Sequence, residues 1–146
     1  MSYSRWSLCI LILLLTPTMH AQDFSSYRWE NRLILLFADA EDNQELQQQL
    51  SEFLEDQQAL AERKLLIFFI GEEESHMIFP QSKKLSHQSD RWKQFRQRKA
   101  PFELQLLGLD GGRKLRKQSF VSRSELYALI DGMPMRRAEI KAKDQK

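Results

Sequence analysis

Two uninterrupted apolar runs, Leu33 to Ala38 and Leu65 to Ile70, constrain this chain more than any other feature. A strand that faces water on one side alternates polar and apolar residues, whereas a run without alternation has to be covered on both faces. Both runs have strand length, the first opening at Arg32 and the second closed by Gly71. Between them, Leu46, Leu50, Phe53, Leu54, Leu60 and Ala61 fall on one stripe of a helix expected from about Asn43 to Glu62. Asp42 stands as its expected cap and Glu45 at the capping-box position. Strand, helix, strand in this order is a βαβ unit, which calls for parallel strands and a right-handed crossover.

Beyond Gly71 the chain reads as polar and irregular from Glu72 to Leu85, followed by a weak helical stripe, Trp92 and Phe95, somewhere between Leu85 and Lys99. Phe102 to Leu107 is a third expected strand, and Asp110-Gly111-Gly112 turns it into a fourth at Arg113 to Gln118. The last helix is marked by Ser122 as cap, Glu125 as box partner, a Val121/Leu126 staple and Gly132 as terminator before Pro134. Its expected buried stripe is Leu126, Leu129, Ile130 and Met133. The order βαβ-α-ββα predicts an α/β fold of thioredoxin-like type, a four-stranded mixed sheet with flanking helices. Pro101 stands where such folds often carry a cis proline, a trans proline at a strand entrance being the alternative. The place of a redox cysteine pair is taken by Asp39-Ala40-Glu41-Asp42.

Residues 1–21 read as an export signal: Arg5 in a short head, an apolar run from Leu8 to Leu15, and a polar stretch ending at Ala21, after which cleavage is expected. Eight apolar residues make a helix of about 12 Å, against a hydrocarbon core of about 30 Å, so the expected mature product is soluble, periplasmic or extracellular. Cleavage would remove Cys9, the single cysteine, leaving residues 22–146 as one domain with a basic C-terminal tail and no thiol. Disulfide formation and thiol redox chemistry are thereby excluded for that product. Charge is divided along the chain: residues 22–82 carry 4 basic and 13 acidic side chains, and residues 83–146 carry 17 basic and 7 acidic. Two solvated faces account for this division, and a basic surface for an anionic partner is the sharper alternative.

Three blocks carry a family resemblance. They are Trp29-Glu30-Asn31-Arg32 running into the first strand, Leu109-Asp110-Gly111-Gly112-Arg113-Lys114-Leu115-Arg116, and Glu125 to Glu139 with its Ile130-Asp131-Gly132-Met133-Pro134-Met135-Arg136-Arg137 core. Together they resemble the family called domain of unknown function 4174. The resemblance implies a thioredoxin-like fold without redox cysteines, small exported bacterial members, and related domains in vertebrate extracellular proteins with sushi repeats. It brings no assigned reaction. Leu109 stands where relatives are expected to carry lysine.

The candidate chemistries rest on few residues. Asp39, Glu41 and Asp42 would lie at the carboxyl edge of the sheet, where open α/β folds bind ligands, though acids also favour a helix N-terminus for its dipole. Glu72-Glu73-Glu74-Ser75-His76, with His87, offers metal-ligand types without a standard spacing, so no metal or cofactor is expected. No Gly-x-Ser-x-Gly elbow or phosphate-binding glycine loop is present. Arg91, Lys93, Arg96, Arg98 and Lys99 interleave with Trp92 and Phe95 as in polyanion binders, yet on a helix the two aromatics would bury and the cations face water. Arg136 and Arg137 read as a solvated helix end. The reading is an exported, redox-inactive binding or structural module of unknown biochemical role and unknown partner, without nucleic acid; an anionic envelope component or a protein is the kind of partner it allows. The alternatives are an enzyme using Asp39 or Asp42 as acid or base, and a polyanion-binding or adhesion protein using the basic half.

Overall fold

The computed structural model describes residues 24–85, 89–97 and 100–145, so the expected export signal, His87, Arg98 and Lys99 lie outside the described residues. Strand β1 (Arg32–Ala38), helices α1 (Gln44–Leu54) and α2 (Gln57–Glu62) and strand β2 (Leu65–Ile70) form the first unit. β1 and β2 are parallel, with Arg32 opposite Leu65 and Phe37 opposite Ile70. The single helix expected over residues 43–62 is broken because Asp56 leaves helical geometry and accepts the Ala59 N–H, starting α2 anew. Asn43 caps α1 in place of Asp42, accepting the Leu46 N–H at 3.0 Å. The two residue types cap with similar strength, so the one-residue difference follows from where Leu46 must enter the core.

Six strands, not four, make the sheet. The added pair is β3 (Ser75–Phe79) and β4 (Lys83–Lys84), followed in the chain by α3 (Ser89–Lys93), β5 (Phe102–Leu107) and β6 (Arg113–Lys117). The order is β4-β3-β2-β1-β5-β6, with every neighbouring pair antiparallel except β1 and β2. The segment expected to be irregular is therefore a second hairpin. Its strands are short and half-exposed, and they lack the continuous apolar signature of β1. Gly71 makes the turn into β3 possible: a Cβ there would stand 2.7 Å from the Glu74 carbonyl oxygen and 2.7 Å from the Phe69 ring. The cis peptide bond among the described residues is Phe79–Pro80, not the bond before Pro101.

The apolar runs are covered on both faces, as their lack of alternation requires. On one face Ile34, Leu36, Ile67, Phe69 and Leu104 pack under Leu46 and Phe53 of α1 and under Leu126 and Ile130 of α4 (Arg123–Asp131). On the other, Leu33, Leu35, Phe37, Phe68 and Ile70 meet Trp92, with Phe24, Tyr27 and Phe95 packed around it. The helix expected somewhere between Leu85 and Lys99 is only five residues long; its Trp92 is buried as expected, whereas Phe95 lies beyond the helix and is only partly buried. Leu129, expected in the buried stripe of α4, is exposed, because Ser122 as cap sets the helix phase that turns Leu126 and Ile130 inward. The expected basic tail is a helix, α5 (Pro134–Asp144), with proline in its first turn.

Four buried polar side chains fasten loops to this frame. Gln49 of α1 donates to the Val121 carbonyl (2.7 Å) and accepts the Val121 N–H (2.8 Å). Glu103 of β5 accepts the Gln97 N–H at 3.2 Å and pairs with Arg116, while Gln105 donates to the Phe95 carbonyl at 2.7 Å. At the amino end of β1, Arg32 is 1% exposed and donates to the Arg63 carbonyl (2.9 Å) and the Glu139 carboxylate (3.2 Å).

Candidate functional site

Because β1 and β2 are parallel, their carboxyl ends open at the same edge of the sheet. The chain leaves β1 as Asp39-Ala40-Glu41-Asp42 and β2 as Gly71-Glu72-Glu73-Glu74. Between these two loops lies a cleft of about 430 Å³ lined by Asp39, Glu41, Asp42, Glu72, Glu73 and Glu74, with Phe69 and Gly71 also on its wall. Six carboxylates on one concavity give it a strongly negative potential.

The three acids expected at this edge, Asp39, Glu41 and Asp42, are all there, and each is exposed. His76 joins them from β3. Its Nε2 lies 3.4 Å from Glu74 Oε2 and 3.5 Å from Glu41 Oε1, and it is buried without a hydrogen bond. Lys84 of β4, the cross-strand partner of His76, donates to Glu74 Oε2 at 2.8 Å. That hydrogen bond first, and the adjacent His76 imidazole second, hold the Glu74 carboxyl below its ordinary value; the Lys84–Glu74 contact raises the Lys84 ammonium. The sequence offered Glu74 and His76 within one acidic segment but paired them with His87, which lies outside the described residues. Glu74 ends the turn just before β3 and His76 lies on the strand itself, so their closeness in sequence was the usable signal. What brings Glu41 to them is the parallel pairing of β1 and β2.

The described basic candidates are not gathered on one surface. Arg96 donates through Nη2 to Asp39 (2.6 Å) and to the Ala100 and Pro101 carbonyls (2.8 and 3.1 Å), so its guanidinium is engaged beside Asp39 instead of facing water. Lys93 donates to the Glu72 carbonyl. Arg91 is exposed on α3, and Arg137 is exposed on α5. Arg136 is bound to Asp131 (3.1 Å), the Glu62 carbonyl (2.8 Å) and Glu139 (3.4 Å), next to Arg32. Arg96 and Arg136 thus sit at opposite ends of β1, roughly 20 Å apart along a seven-residue strand.

The amino end of β1 is where the three sequence blocks meet. Arg32 comes from the first, Leu109 and Lys114 from the second, and Asp131, Met133 and Glu139 from the third. Leu109 is buried, and it lines a mainly apolar cavity of about 260 Å³ with Arg32, Met133, Pro134 and Met135. Among the described residues no helix is long and apolar enough to cross a membrane. No curated protein and no solved structure matches the chain. A family signature described as "Domain of unknown function (DUF4174)" covers residues 23–139 and includes all three blocks, so the chain belongs to that family.

Proposed function

We propose that the chain is an exported, redox-inactive module of thioredoxin-like type that binds a cationic ligand in the cleft at the carboxyl edge of β1 and β2. The observation that carries this reading is the convergence of six carboxylates on one concavity. Asp42, Glu72 and Glu73 have no ion pair among the described residues, so the cleft keeps unneutralised charge even after Arg96, Lys84 and Lys93 are placed. The thioredoxin-like reading is supported by four strands, β2-β1-β5-β6, with one parallel pair, the β5–β6 hairpin and helix α4 over one face. Export rests on the sequence of residues 1–21, and redox inactivity on the lack of a cysteine after them.

The polyanion alternative is less well supported, since the guanidinium groups of Arg96 and Arg136 already serve acceptors within the fold. The enzyme alternative keeps its carboxylates, but Asp39 is held by Arg96 as a structural ion pair. The test is calorimetric titration of the mature protein with a lysine-rich peptide at low and moderate salt. Binding should weaken as salt rises, by screening, and should drop at least tenfold in an Asp42→Asn/Glu73→Gln double variant. Equal affinity of the double variant, or binding indifferent to salt, would overturn the reading.

A further inference from the structure

The cleft contains a donor set more specific than its overall charge. Glu41, Glu74 and His76 each offer one ligand atom, and these atoms all lie within 4.8 Å of one another. Two of the separations, 3.4 Å and 3.5 Å, are measured from the same nitrogen, His76 Nε2. Metal–nitrogen and metal–oxygen bonds of about 2.0–2.2 Å in a tetrahedron require ligand atoms about 3.3–3.6 Å apart. A protein that only needed to pair His76 with a carboxylate would be served by one of them at hydrogen-bonding distance and angle. Here Nε2 faces two, is shielded from solvent, and makes no hydrogen bond with either.

We propose that Glu41, Glu74 and His76 bind a divalent transition metal of the zinc type, with three protein donors and the fourth position open to the cleft. This rests on the cationic-ligand reading of the same cleft and names one ligand class for it. The donor chemistry selects within the divalent ions: calcium and magnesium take oxygen alone, whereas an imidazole beside two carboxylates suits zinc and its neighbours. Lys84 is the built-in competitor. Its ammonium lies 2.8 Å from Glu74 Oε2, the oxygen that also faces His76, so it supplies one positive charge where the metal would supply two. Metal entry requires that this ammonium withdraw, and 70% exposure of its side chain leaves it free to do so.

The experiment is titration of the mature protein with Zn²⁺ alone, followed by calorimetry and by equilibrium dialysis with metal analysis. One zinc per chain is expected. Glu41→Gln and His76→Gln should each lower affinity at least tenfold, and Lys84→Met should raise it. Glu41 is half exposed, so its variant reports on binding without loss of core packing, and circular dichroism melting of all three confirms the fold. Absence of stoichiometric zinc binding, or binding unchanged in both Glu41→Gln and His76→Gln, would overturn the proposal. If the lysine-rich peptide still bound in that case, the cationic-ligand reading would stand; loss of both would remove it too.

Discussion

Replacing Gln49 by alanine gives the sharpest energetic test of the fold. Gln49 and Val121 are both 0% exposed, and the side-chain amide meets both backbone polar groups of Val121, donating to one at 2.7 Å and accepting from the other at 2.8 Å. It serves the loop before α4 as a neighbouring strand would. Truncation leaves an N–H and a C=O in an apolar surround, each costing about 1–3 kcal/mol. Alanine returns a few tenths of a kcal/mol of helix propensity. The net loss should be about 2–5 kcal/mol, a large share of the roughly 5–15 kcal/mol that holds a domain of this kind together. For a chain of this size that corresponds to a fall in melting temperature of roughly 10–20 °C. Urea unfolding followed by circular dichroism should show a lower midpoint with an unchanged slope, and Gln48→Ala, one position along on the exposed face, should stay within about 0.5 kcal/mol. A loss below about 1 kcal/mol for Gln49→Ala would refute the argument, because it would mean that water or a backbone shift satisfies Val121 without the amide.

Arg96→Glu should destabilise the fold by about 2 kcal/mol or more, since it sets a carboxylate against Asp39 and two carbonyls, whereas Arg91→Glu, on an exposed site, should cost less than about 0.5 kcal/mol; thermal melts decide. Acid should unfold the protein through Asp131 and Glu139. Partial burial raises both carboxyls, but Arg63 and Arg136 on the first and Arg32 on the second more than reverse this, so both folded values lie below the ordinary 3.8 and 4.5. Their contribution is present above those ordinary values and is lost as pH falls past them toward the folded ones, so an Asp131→Asn/Glu139→Gln variant should be less stable at neutral pH and show a flatter acid limb in pH-dependent urea midpoints. Expression of the full chain in a bacterium with an intact export pathway should yield, in the soluble extracytoplasmic fraction, a product whose N-terminal sequence begins near Gln22; full-length chain held in membranes would contradict this.

What could be read from the sequence follows from how locally each feature is encoded. The two apolar runs declare β1 and β2 without help from any partner, and the Ser122 cap with its Val121/Leu126 staple places the start of α4 to the residue. The hairpin β5–β6 was fixed by Asp110-Gly111-Gly112, where Gly111 takes φ +77. β3 and β4 were hidden because half-exposed outer strands carry mixed residues, and their pairing depends on β2 being beside them. Gln49 looked like one more polar residue of a glutamine-rich helix, since its task is set by a loop 72 positions away. The cleft was half legible. Asp39, Glu41 and Asp42 follow from the end of a strand, but Lys84 reaches Glu74 through a cross-strand register that no local spacing displays.

Both margins of the sheet are cationic. β4 is a two-residue strand of Lys83 and Lys84, and β6 reads Arg113-Lys114-Leu115-Arg116-Lys117. A bare strand margin is a template on which another copy can add by backbone hydrogen bonding, and lysine or arginine along it, with short length, opposes that addition. Two molecules approaching margin to margin would bring like charges together before a single backbone bond could form. The basic residues of β4 and β6 therefore oppose edge-to-edge addition of another copy, a role that involves no ligand. Neutralising Lys83 and Arg113, which have no ion pair among the described residues, would put that protection at risk without removing a partner of the cleft.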